Sequence, residues 1–205
     1  MINEEQLEQL CLQWFRETGW ETLYGPDIAH DGKTPMRHSY SEVLLKGELE
    51  AAFNRINPHL PSLCFEQVWI ALSKTKSLDL ITNNHTFHQL LLSGVPVDYK
   101  RLNPTHHSEE IIHDHAFLID FDRLDQNRFQ VINQFTISGI KQARRPDVLC
   151  FINGIPFAVI ELKSPKDENV DIWDAFNQIQ TYKDEISDLF IYNEALIITL
   201  VIKDV

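Results

Sequence analysis

Three charged residues stand at the ends of two apolar segments in the last third of the sequence. Asp147 precedes the first segment, 148–152, and Glu161 and Lys163 follow the second, 155–160. The two segments flank an Asn-Gly pair, which is typical of the two-residue turn of a β-hairpin. The pattern predicts a hairpin that brings two carboxylates and an amine together at its open end.

These residue types suit metal-assisted hydrolysis of a phosphate ester. Asp147 and Glu161 offer hard oxygen ligands, and Mg²⁺ is usually held by one or two carboxylates together with water and phosphate oxygens. Lys163 lies two residues from Glu161, so on a strand it shares the same face, where it can orient or help deprotonate a water molecule. A salt-bridged hairpin end explains the same three residues equally well, and the spacing alone leaves both interpretations open.

The register of the hairpin decides whether the two carboxylates can meet. In a regular antiparallel pair, the numbers of facing residues have a constant sum, and their side chains share one side of the sheet. A two-residue turn pairs Ile152 with Ile155, a sum of 307, and sends Glu161 to the face opposite Asp147. An odd-length loop or one β-bulge changes the sum to 308. Binding of one metal ion by both residues therefore requires an odd-length loop, a bulge or strong local twist. We expect one of these, with the Asp147 and Glu161 carboxylates within roughly 6 Å of each other.

Five blocks of the sequence agree in order and spacing with one known family. They are Asn133-Gln-Phe135, Arg144-Arg-Pro-Asp147, Ala158-Val-Ile-Glu-Leu-Lys163, Asp174-Ala-Phe-Asn-Gln-Ile-Gln-Thr-Tyr182 and Leu189-Phe-Ile-Tyr-Asn193. Pro146-Asp147 with Glu161-Leu162-Lys163 is similar to the PD-(D/E)xK signature of metal-dependent nucleases. Together the blocks resemble the N-terminal endonuclease domain of the restriction (R) subunit of type I restriction-modification enzymes, most densely between residues 128 and 199.

The resemblance implies both a fold and a function. The expected fold is α/β, a restriction-endonuclease-like mixed sheet flanked by helices, in one domain over 1–205 with a mainly helical part, 1–94, before the catalytic sheet core, 95–205. The expected function is Mg²⁺-dependent hydrolysis of double-stranded DNA, with Mn²⁺ as a substitute. Methyltransferase and specificity subunits are the implied partners, and ATP would be used only by a C-terminal motor domain, whose motifs this sequence lacks. The alternative is a catalytically weak, nuclease-like docking or scaffold domain.

Further site residues follow from the resemblance. A glutamate on the first helix is often close to the metal in such nucleases, which points to Glu8, although the sequence alone favours a solvated first-turn acid. Gln178 and Tyr182 lie four residues apart on one helix face and match a Q-x-x-x-Y motif implicated in DNA contact or active-site support. Arg144 and Arg145 are assigned to DNA binding or support.

The overall charge fits poorly with a protein that grips DNA by itself. The formal net charge is −12, and acidic surfaces repel phosphates. Residues 141–166 nevertheless carry a local net charge of +3, so the rest of the chain sums to −15. This imbalance predicts a cutting module whose DNA is held mainly by other domains or subunits.

Periodicity predicts the supporting elements. Helices are expected over 3–18, 41–56, 65–76, 82–92 and 171–186, the last with Ile172, Ala175, Phe176, Ile179 and Tyr182 on its inner side. Strands are expected over 95–99, 116–121 and 129–137, with a buried strand over 195–202, while 21–38 is expected to be turn-rich.

The remaining motifs point away from other functions. Cys11, Cys64 and Cys150 are scattered, which indicates buried thiols rather than a disulfide framework or zinc site. The cluster His106–His115 is interpreted as a polar loop leading into a strand, because no tight ligand spacing closes a metal site. No apolar run reaches about 18 residues and no signal pattern is present, so a cytoplasmic location without membrane contact is expected.

Overall fold

The computed structural model describes residues 3–74, 77–103, 108–163 and 172–200. The helices are α1 (Glu4–Glu17), α2 (Gly25–Ile28), α3 (Lys46–Ile56), α4 (Phe65–Ser73), α5 (Leu80–Ser93) and α6 (Ile172–Glu185). The strands are β1 (Glu21–Tyr24), β2 (Val95–Leu102), β3 (Glu109–Ala116), β4 (Phe129–Asn133), β5 (Ile137–Ser138), β6 (Ala143–Arg144), β7 (Val148–Ile152), β8 (Ile155–Lys163) and β9 (Ala195–Leu200). Short 3₁₀ turns cover Ser62–Cys64, Leu124–Gln126 and Ser187–Ile191. The mixed α/β fold expected from the sequence is confirmed.

The main sheet has the strand order β1-β4-β7-β8-β9. Its three central strands, β4, β7 and β8, run antiparallel to one another, whereas both edge strands, β1 and β9, pair in parallel with the strand beside them. Strand β1 comes from the part of the chain that was expected to be mainly helical. The hairpin β7–β8 therefore lies at the centre of the sheet, where strands are buried on both faces.

Each face of the sheet is covered by a different set of helices. One face packs under α1 through a cluster that contains Leu7, Cys11, Leu12, Val131, Val148, Cys150, Ala158, Ile160 and Leu162. The other face meets α3, α4, α5 and α6 through a larger cluster that includes Leu49, Phe53, Val68, Phe87, Leu149, Phe151, Val159, Ile179 and Tyr182. Because both faces are apolar, charged side chains can be placed only at the ends of the strands.

Helix α1 begins as the sequence predicts. Asn3 caps it, accepting a hydrogen bond from the Gln6 backbone N–H at 2.8 Å, while the Gln6 side chain accepts one from the Asn3 backbone N–H at 3.0 Å. This reciprocal capping box satisfies two of the free N–H groups at the helix start. Helix α1 is therefore fixed at its first turn, which carries the acids Glu4 and Glu5 and precedes the turn that carries Glu8.

Several expected elements are wrong in extent. The segment 21–38 contains β1, whose four mostly polar residues gave no strand signal. The helix expected from residue 41 begins at Lys46; Val43, Leu44 and Leu45 before it are buried without forming a helix, and the Leu45 backbone N–H donates to the Gly154 carbonyl. Residues 117–121 form no strand, since the Phe117 and Leu118 carbonyls accept side-chain amides instead of strand partners. The strand from 129 ends at Asn133, not at 137.

Two predictions of burial are also wrong. On α6, Ile172 and Phe176 are exposed, because only the narrow stripe of Ala175, Ile179 and Tyr182 contacts the core. On β9, Leu196 and Ile197 are half exposed, since an edge strand has one neighbour. The ends of the other helices and strands differ from the predicted ends by a few residues. Residues 75–76, 171 and 201–202 of the predicted elements lie outside the described ranges.

The remaining sequence-based interpretations can be checked in part. All three cysteines are free and buried, as predicted. His113 and His115 alternate along β3, and His113 pairs with Asp98 at 2.7 Å, whereas His106 and His107 lie outside the described residues. Among the helices of the described ranges, none combines the length and the apolarity that crossing a bilayer requires.

Candidate active site

The hairpin contains both a two-residue turn and a β-bulge. Asn153 and Gly154 have φ values of 54° and 79°, the left-handed backbone that this tight turn requires. Ile152 pairs with Ile155 beside the turn, but between Phe151 and Cys150 the register shifts by one residue, because Phe157 is an extra residue in β8. The shifted register then continues from Cys150 to Val148, at the open end of the hairpin. Of the three alternatives predicted, the structure contains the bulge, and its register, continued one residue beyond the Val148–Ile160 pair, sets Asp147 opposite Glu161.

Glu161 is the most unusual residue of this strand end. Its side chain is fully buried, one carboxylate oxygen accepts a hydrogen bond from Lys163 Nζ at 2.9 Å, and Oε2 has no hydrogen-bond partner. Burial, reinforced by the negative charge of Asp147 and opposed by Lys163, raises the pKa of Glu161 to about 7. A buried carboxylate oxygen without a donor is costly unless a cation or a proton satisfies it.

Asp147 lies beside Glu161 at the mouth of a pocket. Its Oδ2 accepts a hydrogen bond from the Leu162 backbone N–H at 2.8 Å, which fixes the carboxylate against the neighbouring strand. Burial raises the pKa of Asp147 to about 6, against the lowering effect of that hydrogen bond and of Lys163. The two carboxylates thus both lose protons less readily than in water. Their predicted separation of roughly 6 Å remains a prediction.

Lys163 joins the strand end to α6. Its Nζ donates to Glu161 and also, at 2.8 Å, to Gln178 Oε1, while Gln178 Nε2 donates to the Tyr182 hydroxyl at 2.5 Å. Burial lowers the pKa of Lys163, but the hydrogen bond and the charge of Glu161, with Asp147, more than offset this, so the pKa lies above its usual value. Lys163 is therefore a cationic donor in this arrangement.

A polar pocket opens on the other side of Asp147. It has a volume of about 450 Å³ and is lined by Glu4, Glu5, Glu8, Gln9, Tyr24, Asn133, Gln134, Arg145 and Asp147. Glu8 is only 7% exposed and accepts hydrogen bonds from the side-chain amides of Asn133 and, at 2.6 Å, Gln134. The interpretation of Glu8 as a solvated first-turn acid is therefore wrong, because the end of β4 covers it.

The two neighbouring arginines have different surroundings. Arg144, on β6, forms an ion pair with Glu185 at the end of α6. Arg145 is exposed, lines the pocket, and has no ion pair or hydrogen bond among the described residues. Arg144 thus ties two elements together, while Arg145 retains all its donors for another group.

The donor set agrees with the preferences of Mg²⁺. Within the described residues, no three His, Cys, Asp or Glu side chains form a ready-made metal cluster. Mg²⁺ needs only one or two carboxylates, with water and phosphate oxygens completing its shell. Asp147 and the unsatisfied Oε2 of Glu161 supply such a pair, whereas Glu8 lines the pocket beside Asp147 without forming a three-ligand cluster with them.

Some polar residues of the site were not identified from the sequence. Asn133 and Gln134 contact Glu8, and Tyr24 lines the same pocket. Their types carry no catalytic signal, and only the Asn133-Gln-Phe135 block marked two of them at all. Tyr24 belongs to the strand β1 that the sequence did not predict.

The protein is thus an α/β protein whose mixed sheet carries a candidate catalytic centre, formed by Asp147, Glu161 and Lys163 at the open end of the β7–β8 hairpin. A family model described as the type I restriction enzyme R protein N terminus matches residues 1–200, and the chain belongs to this family.

Individual relatives agree with this assignment. The chain is 42% identical over 201 residues to the type I restriction enzyme HindI endonuclease subunit of Haemophilus influenzae, an alignment that covers 97% of this chain and 18% of that protein. It is 30% identical over 202 residues, with the same coverage, to a putative type I restriction enzyme MjaIXP endonuclease subunit of Methanocaldococcus jannaschii. The chain thus spans less than a fifth of the length of these relatives.

Proposed function

We propose that residues 1–205 form the Mg²⁺-dependent endonuclease domain of a type I restriction enzyme R subunit, which hydrolyses DNA phosphodiester bonds. The observation that carries this proposal is the buried Glu161 carboxylate, whose Oε2 lacks a donor at the position facing Asp147. Relatives named as endonuclease subunits support it. We assign Asp147, Glu161 and Lys163 to catalysis, as in the PD-(D/E)xK nucleases that the sequence resembles.

The two carboxylates would hold the metal. A divalent cation next to Oε2 would satisfy the only unpaired oxygen of Glu161 and offset the repulsion between Glu161 and Asp147. When bound, Mg²⁺, or Mn²⁺ in its place, supplies Lewis acidity towards phosphate oxygens and water. The Leu162 backbone N–H holds Asp147 in place for this role.

Lys163 orients the reacting groups. An ammonium group has three donors, and Glu161 and Gln178 use two of them. The third is available to a water molecule or to a phosphate oxygen. The two hydrogen bonds to Glu161 and Gln178 hold the amine in place as a donor towards the reacting groups. Gln178, held by Tyr182, fixes the direction of the amine.

DNA would reach the site over Arg145. This arginine is exposed beside Asp147 and keeps its guanidinium free of described partners, so it can contact a phosphate. Arg144 supports the site by holding the end of α6. With a net charge of −12, the domain depends on partners for most of its DNA affinity. We assign that task to the methyltransferase and specificity subunits and to an ATP-driven motor domain.

The acidic charge also favours the second candidate, a docking or scaffold domain with little catalysis. Such a domain has no need for a divalent cation between Asp147 and Glu161. The two candidates therefore differ in a simple measurement, the affinity of the chain for Mg²⁺ or Mn²⁺.

The test is isothermal titration of the chain with Mn²⁺, combined with nicking of supercoiled plasmid at low salt. We expect one bound ion and slow, non-specific nicking, with both lost in Asp147→Ala and nicking lost in Lys163→Ala and in EDTA. The control is Asp98→Ala, which removes an exposed carboxylate that pairs with His113 on a different sheet. Nicking in EDTA, or heat of binding that survives Asp147→Ala, would exclude the proposed site.

A further inference from the structure

Gln134 adopts a backbone conformation that side chains disfavour. Its φ is 57°, and Asn153 in the hairpin turn is the other non-glycine residue with a positive φ in the described ranges. Such a backbone conformation is strained and persists only where the surrounding structure fixes it. Asn153 is explained by its tight turn, whereas Gln134 simply follows the last residue of β4.

Packing from β1 and α2 holds Gln134 in place. Gly25, at the start of α2, lies so close that a Cβ on it would be 2.5 Å from the Gln134 carbonyl oxygen and 2.8 Å from that of Asn133. Only glycine permits this approach. The backbone of Gln134 is therefore confined between the beginning of α2 and the strand end that carries Asp147.

The left-handed conformation lets one residue contact two acids that line the pocket, Asp147 and Glu8. The Gln134 backbone N–H donates to the Asp147 carbonyl oxygen at 3.3 Å, and its side-chain Nε2 donates to Glu8 Oε2 at 2.6 Å. The Asn133 amide donates to the other oxygen of Glu8. Glu8 and Asp147 come from different elements, and Gln134 connects them directly.

We infer that Gln134 is a positioning residue for the metal site. It holds the Glu8 carboxylate in the pocket that Asp147 also lines, so that the remaining lone pairs of Glu8 accept hydrogen bonds from the water shell of a divalent cation. Each carboxylate oxygen can accept two hydrogen bonds, so the two amides leave this capacity unused. The inference rests on the proposed function, because it requires a cation between Asp147 and Glu161.

The test separates the side chain from the backbone. Gln134→Gly keeps the left-handed backbone without strain and removes the amide. We expect its melting temperature without metal to change little, while the Mn²⁺ dissociation constant, measured by titration and by electron paramagnetic resonance of free Mn²⁺, rises roughly 10- to 100-fold, as for other residues that orient metal ligands. Gln134→Asn also tolerates this backbone, but its amide is one methylene short, so it carries the same expectation.

A double-mutant cycle identifies the route of the effect. If Gln134 acts through Glu8, Gln134→Gly adds no further loss of Mn²⁺ affinity in a Glu8→Ala background. The matched control is Gln13→Ala, which removes an amide-to-carboxylate hydrogen bond of 2.8 Å at the exposed end of the same helix and should leave Mn²⁺ binding unchanged.

The outcomes distinguish this inference from the proposed function. Unchanged Mn²⁺ affinity in both Gln134 variants, while Asp147→Ala abolishes binding, would overturn the positioning role alone. Fully additive losses in the Glu8→Ala background would overturn the route through Glu8. If Asp147→Ala itself leaves Mn²⁺ binding intact, the proposed function fails first, and the inference fails with it.

Discussion

At the level of single residues, the candidate site depends on an asymmetry within Glu161. One oxygen is paired with Lys163, while the other is buried without a partner. A strand-end salt bridge, the alternative that the spacing left open, would satisfy the lysine but not Oε2. A cation at this oxygen removes the penalty of the unpaired buried charge. The unsatisfied oxygen therefore favours a metal site over a purely structural ion pair.

The hydroxyl of Tyr182 provides a test at the same scale. Tyr182→Phe removes the hydrogen bond to Gln178 and so loosens the amide whose oxygen accepts from Lys163 and orients it. We expect plasmid nicking to fall by roughly tenfold or more, while the free energy of unfolding changes by only about 1 kcal/mol. Urea denaturation and nicking assays on the same preparation measure both effects.

A second buried tyrosine gives the control. Tyr192 donates its hydroxyl to the Leu72 carbonyl at 2.9 Å, and neither residue belongs to the candidate site. Tyr192→Phe should lose a similar amount of stability and keep full nicking. If Tyr182→Phe instead unfolds the protein or cleaves as the parent does, the tyrosine belongs to the core and not to the site.

At the level of elements, the β-bulge decides which face of β8 carries the charges. Without the extra residue Phe157, Glu161 and Lys163 would point towards α1, into the cluster of Leu7, Cys11 and Leu12. With the bulge, Glu161 and Lys163 point towards α6, where Gln178 accepts a hydrogen bond from the Lys163 amine. A shift of one residue in the register therefore decides whether these two charged side chains reach the candidate site or are buried among apolar side chains.

The turn of this hairpin is fixed by a single glycine. A Cβ on Gly154, whose φ is 79°, would lie 2.6 Å from the Leu45 carbonyl oxygen. We expect Gly154→Ala to lower the free energy of unfolding by roughly 1–3 kcal/mol or more. Gly47→Ala is the control, since α3 has open space there, and it should raise stability by about 0.4–1 kcal/mol. Equal effects of the two changes in urea titrations would contradict this account of the turn.

The elements show why sequence reasoning succeeds at some positions and fails at others. The hairpin was predictable because Asn153-Gly154 and two apolar runs are local signals, and requiring Asp147 and Glu161 to meet reduced the possibilities to an odd-length loop, a bulge or strong local twist, of which the structure has the bulge. Strand β1 was not predictable, since its pairing with β4 is formed across about a hundred residues of chain. The hydrogen bonds from Asn133 and Gln134 to Glu8 likewise join residues that are far apart in the sequence, so no local sequence pattern predicts them.

At the level of the whole molecule, negative charge surrounds the candidate site as well. The pocket beside Asp147 is lined by three acids, Glu4, Glu5 and Glu8, and by one positively charged side chain, Arg145. A phosphate entering this pocket would meet net repulsion, which a bound divalent cation would offset. Under the proposed function, the charges that would attract a metal would also make DNA binding dependent on it, and the overall charge of −12 would leave little non-specific affinity to compensate.

This charge distribution predicts a measurable salt dependence. If two or three phosphates are contacted through Arg145 and its neighbours, the logarithm of DNA affinity should fall against the logarithm of salt concentration with a slope of about −2 to −3. Arg145→Ala should weaken binding and reduce the magnitude of the slope by about 1. Arg101→Ala should leave the slope unchanged, because Glu110 already neutralises that arginine at 2.8 Å. Fluorescence anisotropy of a labelled duplex in Ca²⁺, chosen to limit cutting, measures these slopes. A slope that is the same in the parent and in Arg145→Ala would show that DNA does not pass over this edge of the sheet.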